Sequence, residues 1–357
     1  MCCGLVTMAK HFIIDKHDRI LVTGAGGFIG RRVVQSLLTL GFRNIRCLRR
    51  SAEDATLGAS STMSDPRIET VFGNLLAKEE CNRAAEGVTI VLHLAAGRGE
   101  KSFPDAFLNS VVSTRNLLNA CAESNTLKRF VNVSSFSVYT NKHNRIARLI
   151  DEYSEVEARA ELRGDAYSFA KLKQDELVAD YCKRLGISYV IVRPGHVYGP
   201  GNEAISARVG ISPFGLFMHL GGSNRVPLTY VDNCADAVAL AGVTTGIDGE
   251  LFNIVDDDLP TSREFLRLYK KKVKEFPSIY IPHAFSYAFC FLWEKYSSWS
   301  NGQLPPAFNT RRWYSFWKKA QYSNEKIKRQ LGWNPEIRTR DGLERYFEAC
   351  RGRLEHA

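Results

Sequence analysis

Residues 19–41, "RILVTGAGGFIGRRVVQSLLTLG", read as three pieces in a fixed order. An apolar, β-branched run comes first, "RRVVQSLLTLG" then repeats apolar side chains at helical spacing, and Gly24, Gly27 and Gly30 stand between them. A strand that turns sharply into a helix leaves the first helical N–H groups without partners. Glycine at the turn lets a phosphate approach the bare backbone there. The spacing is Gly-x-x-Gly-x-x-Gly, with Ala25 where the commoner dinucleotide fingerprint has its first glycine. Phe28 and Ile29 open the helix beside the same site. A glycine triplet alone is weak evidence, but here the strand before it and the amphipathic helix after it supply the context a dinucleotide turn requires.

Outward from that turn, short apolar runs alternate with helical stretches as far as Arg193: "IRCL", "IETVF", "TIVLHL", "DAFLNSVVSTRNLLNACAES", "RFVNVSS" and "SYVIVR". Strand and crossover repeated in this way predict a mainly parallel sheet covered on both faces, an α/β doubly wound fold. After "RPGHVYGPG" the texture changes to loops, aromatics and short helices. The expected organisation is therefore an extension over 1–18, a Rossmann-type dinucleotide-binding domain over 19–194 and a smaller α/β substrate lobe over 195–350. One strand near 250–255 is placed to return to the main sheet.

The 357 residues are 45% hydrophobic and 24% charged, an ordinary globular composition. No apolar run has the length of a spanning helix, and the N-terminus lacks a secretory pattern, so a cytoplasmic location is expected. Nine cysteines show no CxxC pair and no metal-ligand spacing, which favours reduced thiols and no metal. Cys2 and Cys3 read as part of a frayed terminal tail, with Met8 as an alternative start and lipid attachment to the paired cysteines as the other reading. The net charge of +10 is spread along the chain, with clusters at Lys270–Lys274 and Arg311–Lys319 that read as solvated helix faces. A positive cleft for a small anionic ligand is expected rather than nucleic acid. The acids Asp256, Asp257 and Asp258 follow a strand and read as a solvated turn.

At the end of the second strand NAD would find an acid for its ribose hydroxyls. The chain has Arg49, Arg50 and Ser51 instead. Guanidiniums offer paired donors to a 2′-phosphate, so Arg50 favours NADP over NAD.

"DAYSFAKLKQDE", residues 165–176, places Tyr167 four residues before Lys171 in a helical segment. Residues at that separation share a face, and a cation beside a phenol favours the phenolate. Tyrosine then serves as an acid or base at a carbinol or carbonyl while a nicotinamide moves hydride.

Taken together, "TGAGGFIG", "VLHLAAG", "RFVNVSSFSVY", "YSFAK", "RPGHVYGPG", "LTYVDNCADAVALA" and "YSNEKIKRQLGWNP" resemble the extended short-chain dehydrogenase/reductases, the NAD-dependent epimerase/dehydratase superfamily. The resemblance runs from Arg19 to about Phe347. It implies that Ser135, four residues before Tyr139, bonds the substrate oxygen, with Ser134 and Ser137 as fallbacks. It also implies Asn74 and Leu75 at the adenine, Ala95, Ala96 and Gly97 where a strand end lets the cofactor approach, and Pro194 and Val197 on the nicotinamide side. His93 reads as a packed histidine and Asn109 as structural support. A homodimer is implied by the resemblance alone.

For the substrate, Arg225 falls where nucleotide-sugar members place a phosphate-binding arginine, and His196 replaces the asparagine that many of them carry. Phe136 and Ser137 stand where dehydratases carry an Asp-Glu pair, which disfavours dehydration. The leading expectation is hydride transfer on a nucleotide sugar. The alternative is an NADP-dependent reductase or dehydrogenase of a lipophilic ketone or alcohol, resembling hydroxysteroid dehydrogenases and flavonol reductases. It is suggested by the aromatic run "IPHAFSYAFCFLW", residues 281–293. That run reads as a core helix, or else as a pocket lining or a peripheral membrane contact. A non-catalytic scaffold is disfavoured by the complete set Ser135, Tyr167 and Lys171.

Overall fold

The structure is a computed structural model, which describes residues 12–50, 64–97, 102–143, 148–212, 215–300, 303 and 308–355. Seven strands form the main sheet: β1 (Arg19–Thr23), β2 (Ile45–Arg49), β3 (Ile68–Phe72), β4 (Val88–His93), β5 (Arg129–Val133), β6 (Tyr189–Pro194) and β7 (Leu251–Ile254). Their order is β7-β6-β5-β4-β1-β2-β3, and every pair is parallel. Ile20, Leu21 and Val22 of β1 are all fully buried, so neither face of this central strand meets water, as a doubly covered parallel sheet requires.

On one face α1 (Phe28–Thr39) packs beside a second helix, Val231–Val243, over a core that includes Val33, Leu37, Val238 and Ala241. The helices Lys78–Ala85, Ser113–Ser124 and Ala166–Leu185 cover the other face through Cys81, Leu117, Leu118 and Val178. The chain leaves β1 towards β2 on one side and returns through β4 on the other. The strand order therefore reverses between β1 and β4, and the crevice at their C-terminal ends is where open sheets bind ligands.

The second lobe has its own core around Tyr198, Phe217, Tyr230, Phe265, Tyr346 and Phe347. It does not run unbroken over 195–350. Val231–Val243 buries eleven of its thirteen residues, most of them small and apolar, and joins the core of the main sheet with Ile327, Leu331 and Trp333. The strand β7 pairs with β6, Leu251 opposite Ile191. At the other end, Ile13 N–H donates to the Val243 carbonyl at 2.9 Å and Ile14 is buried, so Phe12, Ile13 and Ile14 pack on the same core. Cys2, Cys3, Met8 and Ser51 lie outside the described residues.

In the acidic turn read as solvated, Asp257 and Asp258 are exposed but Asp256 is not. Asp256 is buried and accepts hydrogen bonds from Tyr230 N–H (2.7 Å) and Asn233 Nδ2 (2.9 Å), while burial raises its pKa to about 7. Asp257 pairs with Lys328 at 2.7 Å. The turn fastens the main sheet to the lobe, and no group of three metal-ligating side chains occurs among the described residues.

Candidate active site

The glycine turn is as crowded as its sequence implies. Gly24 adopts φ +68°, in the left-handed region that favours glycine, and a Cβ there would lie 3.1 Å from the Ala95 nitrogen. A Cβ on Gly30 would fall 2.1 Å from the Gly24 carbonyl oxygen, so α1 approaches β1 only because residue 30 has none. Gly27 caps α1 without a side-chain hydrogen bond. Its leading N–H groups face a cavity of about 840 Å³ that runs from the turn into the second lobe.

Arg49 and Arg50, at the end of β2, both line this cavity. The Arg49 guanidinium lies over the turn, its Nε 3.3 Å from where a Gly26 Cβ would stand, and that Nε is buried with no hydrogen-bond partner. Arg50 is exposed. Asn74, Leu75, Ala95 and Ala96 line the same end. Gly97 does not; its N–H donates to Ser110 Oγ at 3.1 Å, inside the wall. The clear backbone turn, the uncapped helix and the orphaned arginine nitrogen together fit the adenosine and diphosphate half of a dinucleotide.

Farther along, Ser135, Tyr167, Lys171, Pro194, His196 and Val197 converge on the cavity. Tyr167 stands at the first turn of Ala166–Leu185, capped by Asp165, whose carboxylate accepts the Ser168 N–H at 3.3 Å and the Ser168 hydroxyl at 2.5 Å. The residue is 39% exposed and lines the cavity. One turn on, Lys171 is buried and donates to the Val133 carbonyl (2.6 Å) and to Gln174 Oε1 (3.0 Å). Burial lowers its pKa to about 8, with Asp175 opposing the shift.

Behind Lys171 the hydrogen bonds continue inward. Gln174 Nε2 donates to Thr114 Oγ1 at 2.7 Å, Thr114 Oγ1 lies 2.8 Å from His93 Nε2, and His93 Nδ1 lies 2.8 Å from Thr23 Oγ1. His93 is buried, and burial together with the charge on Lys171 lowers its pKa to about 3, so it is a neutral strut between β4, β1 and the Ser113–Ser124 helix. Asn109 falls in a wider π-type turn, Leu108–Val112, that leads into that helix. It lines the cavity, and its Nδ2 donates to the Asp105 carbonyl at 3.1 Å.

The serines divide by environment. The Ser134 hydroxyl donates to Asp175 Oδ2 at 2.8 Å, within a buried cluster where Asn132 Nδ2 (2.8 Å) and Arg193 Nη2 (3.0 Å) also reach Asp175. It is therefore committed to structure. Ser135 begins a short turn, Phe136–Val138, and accepts the Ser137 N–H at 3.2 Å, which leaves its hydroxyl hydrogen free to turn towards the cavity. Arg163, fully buried, holds this turn from behind through the carbonyls of Ser137 and Tyr139.

The substrate end departs from the sequence reading. Arg225 is exposed, donates to the Leu259 carbonyl and does not line the cavity. The chain around it forms a bridge between Arg225 and Thr261, which fixes the residue at the back of the lobe. Arg208 lines the cavity instead. It is buried, donates to the Ser315 carbonyl at 2.7 Å and stacks on Phe316 at 5.0 Å, and no carboxylate pairs with it among the described residues. The only sequence signal for it was an isolated cation among small residues in "AISARVG".

A family model described as the NAD dependent epimerase/dehydratase family matches residues 20–254. Sterol-4-alpha-carboxylate 3-dehydrogenase, decarboxylating, from Mus musculus is 24% identical over 352 residues, covering 94% of this chain and 92% of its own. GDP-mannose 3,5-epimerase 1 from Oryza sativa subsp. japonica is 25% identical over 350 residues, 91% and 79% of the two chains. Among solved structures, UDP-glucuronic acid 4-epimerase from Bacillus cereus in complex with NAD superposes with a TM-score of 0.70 at 21% identity, over 95% of this chain and 98% of that one. With the dinucleotide turn, the parallel sheet and the family match in agreement, the chain belongs to the NAD dependent epimerase/dehydratase family and is an NAD(P)-dependent oxidoreductase or epimerase.

Proposed function

We propose that Tyr167 exchanges a proton with a hydroxyl or keto group of a nucleotide sugar while NADP serves as hydride carrier. The observation that carries this reading is the convergence of Ser135, Tyr167 and Lys171 on the cavity that begins at the glycine turn. A nicotinamide held there would supply the hydride acceptor or donor. In the forward, oxidising direction the Tyr167 phenolate takes the hydroxyl proton, Ser135 Oγ holds the substrate oxygen, and the Lys171 ammonium stabilises the phenolate. In the reducing direction the phenol returns that proton to the carbonyl oxygen.

Arg208 supports an anionic substrate, since a guanidinium at the cavity wall that no carboxylate pairs with among the described residues suits a diphosphate or carboxylate. Arg49 and Arg50 support a 2′-phosphate and hence NADP. Phe316 favours a second reading, because its ring gives the far end of the cavity an apolar wall suited to a lipophilic ketone or alcohol.

The test is to release and identify any dinucleotide that copurifies, then offer UDP- and GDP-sugars and bulky apolar ketones with each nicotinamide. Turnover of a sugar nucleotide that disappears in Tyr167→Phe supports the first reading. Reduction of apolar ketones alone, with freely exchanging NADPH, supports the second. Retained NAD would overturn the role given to the arginines.

A further inference from the structure

The helix His283–Trp299 buries only Ser286, Cys290 and Ser297 against the rest of the chain, so the aromatic run does not form a core helix. Phe285, Phe289, Leu292, Tyr296 and Trp299 recur at alternating separations of four and three residues and therefore form one stripe along it. They are 72%, 43%, 65%, 52% and 77% exposed. The strand just before, Ser278–Tyr280, adds Ile279 and Tyr280, which are also exposed. An exposed apolar stripe that runs the length of a helix marks a contact with a partner or a bilayer.

The charges around the stripe favour a bilayer. Lys295 lies beside it over the Phe291 ring at 5.7 Å. Arg263 lies over Tyr280 at 5.3 Å, and Lys270 reaches Ser278 at 2.7 Å. The helix's single acid, Glu294, is turned inward to accept the Thr310 N–H (3.0 Å) and hydroxyl (2.7 Å). Lys295 thus stands beside the stripe, Arg263 and Lys270 beside the preceding strand, and the helix presents no outward acid, the exposed Glu275 lying before the strand. A second copy would bring the same cations to the contact, within a chain whose net charge is +10. Anionic headgroups are the complementary surface. Tyr296 and Trp299 suit headgroup depth, and Lys295 can extend its stem along the apolar layer.

We infer that the helix His283–Trp299 lies in the plane of an anionic lipid surface, its aromatic stripe seated between headgroups and acyl chains. No helix among the described residues is long and apolar enough to cross a membrane, so the contact is with one leaflet. The helix rests on a small core of Cys290, Trp313 and Trp317 with Phe316 packed against it, and Phe316 also lines the cavity. Lipid contact thus sits one layer of side chains from the substrate end. The inference holds for either substrate class.

The test is flotation of the full chain with phosphatidylcholine vesicles, with and without phosphatidylserine. It is repeated for a variant carrying Phe285→Ser, Leu292→Ser and Trp299→Ser, three exposed positions whose change leaves the core intact. The wild type should float with the phosphatidylserine vesicles, be released by salt, and bind roughly tenfold more tightly than the variant. A wild type that stays behind with both kinds of vesicle, or a variant that floats equally well, overturns the inference. Sedimentation of the same samples covers the competing occupant: a wild-type dimer that does not float, and a variant that is monomeric, assigns the stripe to a second copy. Dinucleotide titration of each sample separates either failure from failure of the proposed activity.

Discussion

Lys171 Nζ donates to the Val133 carbonyl at 2.6 Å, so the ammonium of the Tyr167 helix is tied to the C-terminal end of β5. Its height beside the cavity is set by the sheet, and two of its N–H groups donate to neutral acceptors, Val133 O and Gln174 Oε1.

That environment has a pH consequence. Burial brings the Lys171 pKa down to about 8, so the cation proposed to support the Tyr167 phenolate is lost as pH rises through that value. Turnover at saturating dinucleotide should fall on an alkaline limb near pH 8. The stability effect has the opposite sign. Between about 8 and the ordinary lysine value the unfolded chain binds more protons, so the folded state gains relative stability as pH rises there. Lys171→Met should remove this contribution to stability in alkaline denaturation curves and lower kcat roughly a hundredfold or more.

Tyr167→Phe deletes only the phenolic oxygen at the open edge of the cavity. The predicted outcome is a fall in kcat of roughly a hundred- to ten-thousand-fold with dinucleotide affinity little changed, read by steady-state kinetics beside a binding titration. An equal loss in both would place Tyr167 in binding instead.

Arg208 and Arg225 make opposite predictions. Arg208→Gln removes a cation from the cavity wall and should raise KM for an anionic substrate roughly tenfold or more, with dinucleotide affinity unchanged. Arg225→Gln alters an exposed residue outside the cavity and should leave both within about twofold.

How much of this was legible in the sequence depended on how local each signal was. The glycine turn, the strand alternation and the Tyr167–Lys171 spacing are encoded within a few residues, and the structure shows each element in place. The return of Val231–Val243 and β7 to the main sheet depends on which core has room for small apolar side chains, which is a long-range matter. No motif marks Arg208; only the fold brings it and Phe316 to one wall. Asp256 looked solvated because adjacent acids usually are, yet Asn233 and the Tyr230 N–H provide it with buried donors.

The buried polar groups behind the site give a stability prediction. Asp175 accepts from Arg193, Ser134 and Asn132, all buried. Asp175→Ala strands the Arg193 charge and should cost about 3–5 kcal/mol by denaturant unfolding. His93, held neutral with a pKa near 3, adds acid sensitivity: the unfolded chain takes up a proton there as pH falls below the ordinary histidine range, so stability drops from about pH 6.5 downward. That slope should flatten in His93→Gln.

The most direct single measurement is titration of the purified chain with NADPH and NADH, for the wild type and for Gly30→Ala. The added methyl group would stand 2.1 Å from the Gly24 carbonyl and force the turn open. The wild type should bind saturably, and more tightly to NADPH, and Gly30→Ala should lose that binding while its fold persists by circular dichroism. A wild type that binds neither dinucleotide, or a Gly30→Ala chain that binds as well as the wild type, would contradict it.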